Sequence, residues 1–127
     1  MTATETIREL SRSFAIRYSG DCLTHARTIA AMLRAEGREA WIGRVRHVEQ
    51  RGSTTFHHPL IPKTVVGANY LAWTTHYVAC ADHDAYDPLL GEPIDIDDYA
   101  MKVFGLPLEI EIVSREAEPE SRRADAT

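Results

Sequence analysis

The chain has 127 residues, 44% hydrophobic and 26% charged, the size and composition of one globular domain that buries a core without disulfide or metal support. A formal net charge of -5 argues against a general nucleic-acid binder. No apolar run reaches the roughly 18 residues of a membrane span, and Met1-Thr2-Ala3-Thr4-Glu5 lacks the basic-then-apolar pattern of a secretory signal; a cytoplasmic protein is expected, and delivery by a dedicated secretion machine would leave no such mark.

In chain order, residues 5–17 read as a helix with Ile7, Leu10, Phe14 and Ile16 on its apolar stripe. Tyr18-Ser19-Gly20-Asp21 interrupts it. A second helix is expected over residues 22–36, striped by Leu23, Ala26, Ile29, Ala30 and Leu33, with Gly37 as its stop. Residues 39–48 read as a strand whose apolar positions do not alternate cleanly, and residues 50–63, with Pro59 and the His57-His58 pair, as a long loop. Val65-Val66 and the stretch from Tyr70 to Trp73 fit a short strand or a short helix equally well.

Residues 74–81 are rich in strand formers, Asp82-His83-Asp84 makes a turn, and Ala85-Tyr86-Asp87 reads as the partner strand, which Pro88 ends. Residues 94–104 suggest a short helix with Asp95, Asp97 or Asp98 at its start. Residues 106–113 alternate as a final strand. From residue 114 the chain carries no apolar side chain larger than alanine, so residues 1–113 are expected to form one domain and residues 114–127 a disordered tail. Helices followed by strands indicate an α+β fold, N-terminal helices packed on a small antiparallel β-sheet.

Three residues then draw attention. Cys22 opens the second helix, where the helix dipole favours a thiolate and unpaired backbone N–H groups can hold an oxyanion. Taken alone, it reads more readily as a small buried core cysteine. His76 shares a strand face with Val78 and Cys80, and a histidine on an apolar face needs a hydrogen-bonding partner. Asp87 follows across the turn, where it can orient that imidazole or simply initiate an Asp-Pro turn.

The order resembles the papain-like and transglutaminase-like cysteine superfamily. Gly20-Asp21-Cys22 opens a helix ending Leu33-Arg34-Ala35-Glu36-Gly37, a strand follows around Trp41-Ile42-Gly43, then come Thr75-His76-Tyr77-Val78 and Tyr86-Asp87-Pro88. The resemblance spans residues 14–113 and rests on short motifs. It implies a Cys-His-Asp triad: Cys22 as nucleophile, His76 as general base and then acid, Asp87 as orienter. No glutamine precedes Cys22, so the oxyanion and substrate contacts would fall to Tyr18, Asp21, Trp73 or a backbone N–H.

The implied activity is thiol-dependent acyl transfer on an amide: a cysteine peptidase, a glutamine deamidase or a transglutaminase-like enzyme, acting on a peptide or protein. The compact size also looks like papain-fold bacterial effector domains. The alternative is a non-catalytic protein-binding module on the same fold. A zinc set of Cys22, His25, His76 and Cys80 has no specific spacing and ranks lower, and His25 ranks behind His76 as the base. Glu92, Asp95, Asp97 and Asp98 lack calcium-loop spacing, and no glycine-rich phosphate loop occurs, so no cofactor is implied.

Overall fold

The computed structural model describes residues 1–12, 22–64 and 74–114. The elements run α1 (Ala3–Arg12), α2 (Cys22–Ala35), β1 (Ala40–Val45), β2 (His47–Arg51), β3 (Thr54–His58), β4 (His76–Ala81), β5 (Asp84–Tyr86), β6 (Ile94–Asp95), α3 (Ile96–Phe104) and β7 (Glu111–Ser114). Five strands form an antiparallel sheet in the order β6-β5-β4-β1-β7, and β2 and β3 form a separate two-stranded sheet. The fold is therefore α+β. No helix among the described residues is long and apolar enough to cross a membrane.

The main sheet is covered on both faces. On one, Ile7 of α1 and Ala26, Ile29, Ala30 and Leu33 of α2 meet Ala40 and Ile42 of β1 and Ala79 and Ala81 of β4. On the other, Tyr99, Ala100, Val103 and Phe104 of α3 meet Val45, Val78, Cys80 and Ala85. Successive strand residues divide between the two clusters, as the period of two requires. Burial on both faces explains why residues 39–48 show no clean polar–apolar alternation.

α2 ends where Gly37 permits it. Gly37 takes φ +83, its N–H donates to the carbonyl of Arg34, and the N–H of Arg38 donates to the carbonyl of Leu33. That paired arrangement is a Schellman stop, which satisfies two orphan carbonyls of the last turn. At the same end of the helical layer, the Ala3 N–H at the start of α1 donates to the Glu36 carboxylate at 2.7 Å.

Several expected elements differ. The expected strand over residues 39–48 divides at Arg46, whose guanidinium forks onto Glu111 of β7 at 2.9 and 3.0 Å. The chain then leaves the main sheet as the β2–β3 hairpin, which replaces the expected loop over residues 50–63. Gly52 has φ +62 and Ser53 has no positive φ, the pattern of a two-residue turn opened by glycine. His57 and His58 therefore lie on a strand, and His58 reaches Glu49 at 3.1 Å.

The expected turn at residues 82–84 is a tight one, with Asp82 and His83 both at positive φ and β4 and β5 paired across it. The helix expected from residue 94 begins at Ile96, because Ile94 and Asp95 pair with β5 and Asp95 caps the helix by accepting the Asp97 N–H. The expected strand over residues 106–113 is paired only from Glu111 to Ser114. Ahead of it, the Leu108 N–H donates to the Leu106 carbonyl in a tight turn around Pro107. The expectations for residues 13–17, 65–66, 70–73 and 115–127 lie outside the described residues.

Candidate active site

Three separate elements bring Cys22, His76 and Asp87 together. Cys22 is the first residue of α2, His76 the first of β4, and Asp87 follows directly after β5. The β4–β5 register pairs Ala79 with Tyr86, so the hairpin returns the chain to the N-terminal end of β4 just as Asp87 is reached. Pro88 breaks the strand there, and the Asp87 carbonyl accepts the N–H groups of Leu90 and Gly91. Asp87 thus both initiates a turn and faces His76.

His76 Nε2 lies 2.8 Å from Asp87 Oδ2. Both residues are buried, at 3% and 2% exposure, so the pair is shielded from solvent and counts for far more than a surface ion pair. Asp87 Oδ1 accepts the Leu89 N–H at 2.9 Å, and Oδ2 also accepts the Tyr99 hydroxyl. Phe104 stands edge-on to the imidazole at 5.7 Å.

With Nε2 engaged by Asp87, the ring of His76 lines the same pocket as the half-buried Cys22, close enough for its charge to act on the thiol. The backbone N–H of Tyr77 also faces this pocket and favours negative charge on the sulfur. Burial opposes the thiolate, but the His76 hydrogen bond and charge and the Tyr77 N–H outweigh it and lower the Cys22 thiol below its ordinary value. Burial likewise opposes the imidazolium. The Asp87 charge and hydrogen bond, joined by Cys22, overcome it and raise His76 to about 10. Asp87 is held below its ordinary value by the His76 charge and by its donors, against the cost of burial. All three directions favour the same charge-separated form: thiolate, imidazolium, carboxylate.

The second cysteine behaves oppositely. Cys80 is fully buried, and burial with the nearby Asp87 charge pushes its thiol upward. It is a core residue; both thiols are free.

A small pocket opens beside the sulfur, walled by His25, Ala26, Tyr77, Tyr86, Pro88 and Leu89. His25, one helical turn past Cys22, therefore borders the same pocket, although Asp87 binds His76 and not His25. The imagined set of Cys22, His25, His76 and Cys80 does not converge as metal ligands. Among the described residues the side chains that do are His83, Asp95 and Asp97. Tyr18, Asp21 and Trp73 lie outside the described residues.

Sequence reasoning missed Tyr99. Its signal was the stripe Ile96, Tyr99, Ala100 and Val103, which turns one face of α3 toward the sheet and places a hydroxyl-bearing ring in an apolar layer. No protein-family model, curated protein or solved structure matches the chain.

Proposed function

We propose that the chain is a thiol-dependent acyl-transfer enzyme of papain-like or transglutaminase-like organisation, with Cys22 as nucleophile, His76 as general base and acid, and Asp87 as orienter. The observation that carries this reading is the convergence of Cys22, His76 and Asp87 on one pocket, with the imidazole bonded to a buried carboxylate that accepts from Leu89 and Tyr99 as well. A structural histidine would need only one partner; this one bridges a carboxylate and a lowered thiol. The antiparallel sheet behind a helix that opens with the cysteine supports the finer fold assignment.

The chemistry follows from the protonation state. The Cys22 thiolate attacks an amide carbonyl, forming the C–S bond and a tetrahedral oxyanion. Backbone N–H groups at the start of α2 face outward to receive it. The imidazolium of His76 gives its proton to the departing amine as the C–N bond breaks, leaving a thioester. Neutral His76 then takes a proton from water as that water attacks the thioester, and keeps it as the C–S bond breaks and the thiolate departs, which restores the starting ion pair. Attack on a peptide bond gives proteolysis, and attack on a glutamine side chain gives deamidation. Replacing the water by an amine gives transamidation. The substrate is an amide of a peptide or protein.

The test is covalent trapping. Wild type incubated with p-nitrophenyl acetate should acquire one acetyl group on Cys22, seen by peptide mass spectrometry, and then lose it. Cys22→Ala and His76→Ala should show neither step. A wild type that acquires no acetyl group on Cys22 would point to a binding module on this fold.

A further inference from the structure

Asp87 is a buried anion, and a carboxylate without donors could not remain ionised at that depth. Its donors come from three places: Leu89 in its own turn, His76 on β4 and Tyr99 on α3. The Leu89 contact is local. The Tyr99 contact is not: it ties the orienting carboxylate to a helix on the other side of the core.

Tyr99 is fully buried, and its ring stands edge-on to Phe104 at 6.2 Å, while Phe104 stands edge-on to His76. One face of α3 therefore touches both members of the His–Asp pair. Burial and the Asp87 charge keep the Tyr99 hydroxyl protonated well beyond its ordinary range, so it acts as a donor throughout.

We propose that Tyr99 is a positioning residue of the thiol site: its hydroxyl holds Asp87 Oδ2 against Nε2 of His76 and so fixes the ring that shares a pocket with Cys22. This rests on the thiol-enzyme reading above. Without that donor, the carboxylate is free to turn about its last side-chain bond and holds its charge less well. The proton on Nε2 then shifts toward Asp87, the imidazolium weakens, and the sulfur loses the charge that favours its thiolate.

The test is the pH profile of Cys22 alkylation by iodoacetamide in four full-length proteins: wild type, Tyr99→Phe, His76→Ala and Val103→Ala. Tyr99→Phe keeps the ring and removes only the donor. Its midpoint should move upward by about half to one pH unit, part of the way to that of His76→Ala. Val103→Ala, which thins the same helix face, should lower the melting temperature and leave the midpoint in place.

A Tyr99→Phe profile that superimposes on wild type, while His76→Ala shifts, overturns the role of Tyr99 alone. Coincident wild-type and His76→Ala profiles overturn the thiol reading and the Tyr99 role with it. Should Tyr99→Phe fail to fold, wild type suffices: NMR should show slowly exchanging Tyr99 hydroxyl and His76 Nε2 protons with a mutual NOE, and their absence overturns the proposal.

Discussion

The Nε2 atom of His76 lies 2.8 Å from Oδ2 of Asp87, and only 3% of either side chain is exposed. A buried charged pair of this kind is costly unless every remaining lone pair is matched. Here Leu89 and Tyr99 supply further donors to the carboxylate, and the half-buried Cys22 lines the same pocket as the imidazole.

Asp87→Asn should therefore be damaging beyond its size. The amide keeps the shape but loses the charge, and it places an N–H₂ group among donors. Stability in urea should fall by about 2–4 kcal/mol. Alkylation of Cys22 at neutral pH should slow by about ten-fold or more, because one unit in the thiol pKa is a factor of ten. Wild-type stability and labelling in this variant would mean that the carboxylate charge is not used.

Stability should depend on pH in a defined way. His76 rises from 6.5 unfolded to about 10 folded, so its contribution is complete below about pH 6.5 and is lost as pH rises toward 10. Asp87 is lowered from 3.8, so its contribution is complete above about pH 4 and is lost on acidification. The lowered Cys22 thiol acts in the opposite sense to His76 on the alkaline side, and Cys22→Ser removes it. Urea unfolding of Cys22→Ser should show a plateau between about pH 4 and 6.5 and a decline above it, ending at a lower pH than in wild type because the Cys22 share of the His76 shift is gone. A flat profile above pH 6.5 would contradict a raised His76.

Cys80 should be silent. Fully buried and raised by burial and the Asp87 charge, it should resist iodoacetamide in the native protein at every pH where Cys22 reacts, and label only on unfolding. Cys80→Ala should cost about 1 kcal/mol of stability through a small cavity and leave Cys22 labelling unchanged. Native-state labelling of Cys80 at the rate of Cys22 would show that the two sulfurs do not differ as described.

The helical layer was legible because its signals are local. The stripe from Leu23 to Leu33 and the stop at Gly37 act within a few residues, and α2 starts and ends where they direct. The β4–β5 hairpin was legible through Asp82-His83, whose turn chemistry is equally local. The β2–β3 hairpin was not. Its strands carry His47, Glu49, Gln50, Arg51, Thr54, Thr55 and His57, a polar ribbon with no buried face to create a hydrophobic period. Pairing is a relation between distant residues, and only the Gly52 turn marked it.

The site divides along the same line. Cys22, His76 and Asp87 were each ambiguous alone, and their convergence depends on the register that sets Tyr86 opposite Ala79. Tyr99 could not be found that way. It meets Asp87 through the packing of α3 on the sheet, and no spacing along the chain encodes that contact.

The most direct measurement is the rate of Cys22 alkylation by iodoacetamide across pH, read by peptide mass spectrometry with Cys80 as the internal control. An activated thiolate gives fast labelling of Cys22 well below the ordinary thiol value of about 8.5, a profile that moves upward in His76→Ala, and an unlabelled Cys80. Slow labelling that rises only above about pH 8.5, alike in wild type and His76→Ala, would contradict an activated thiolate and leave the fold with no nucleophile at this site.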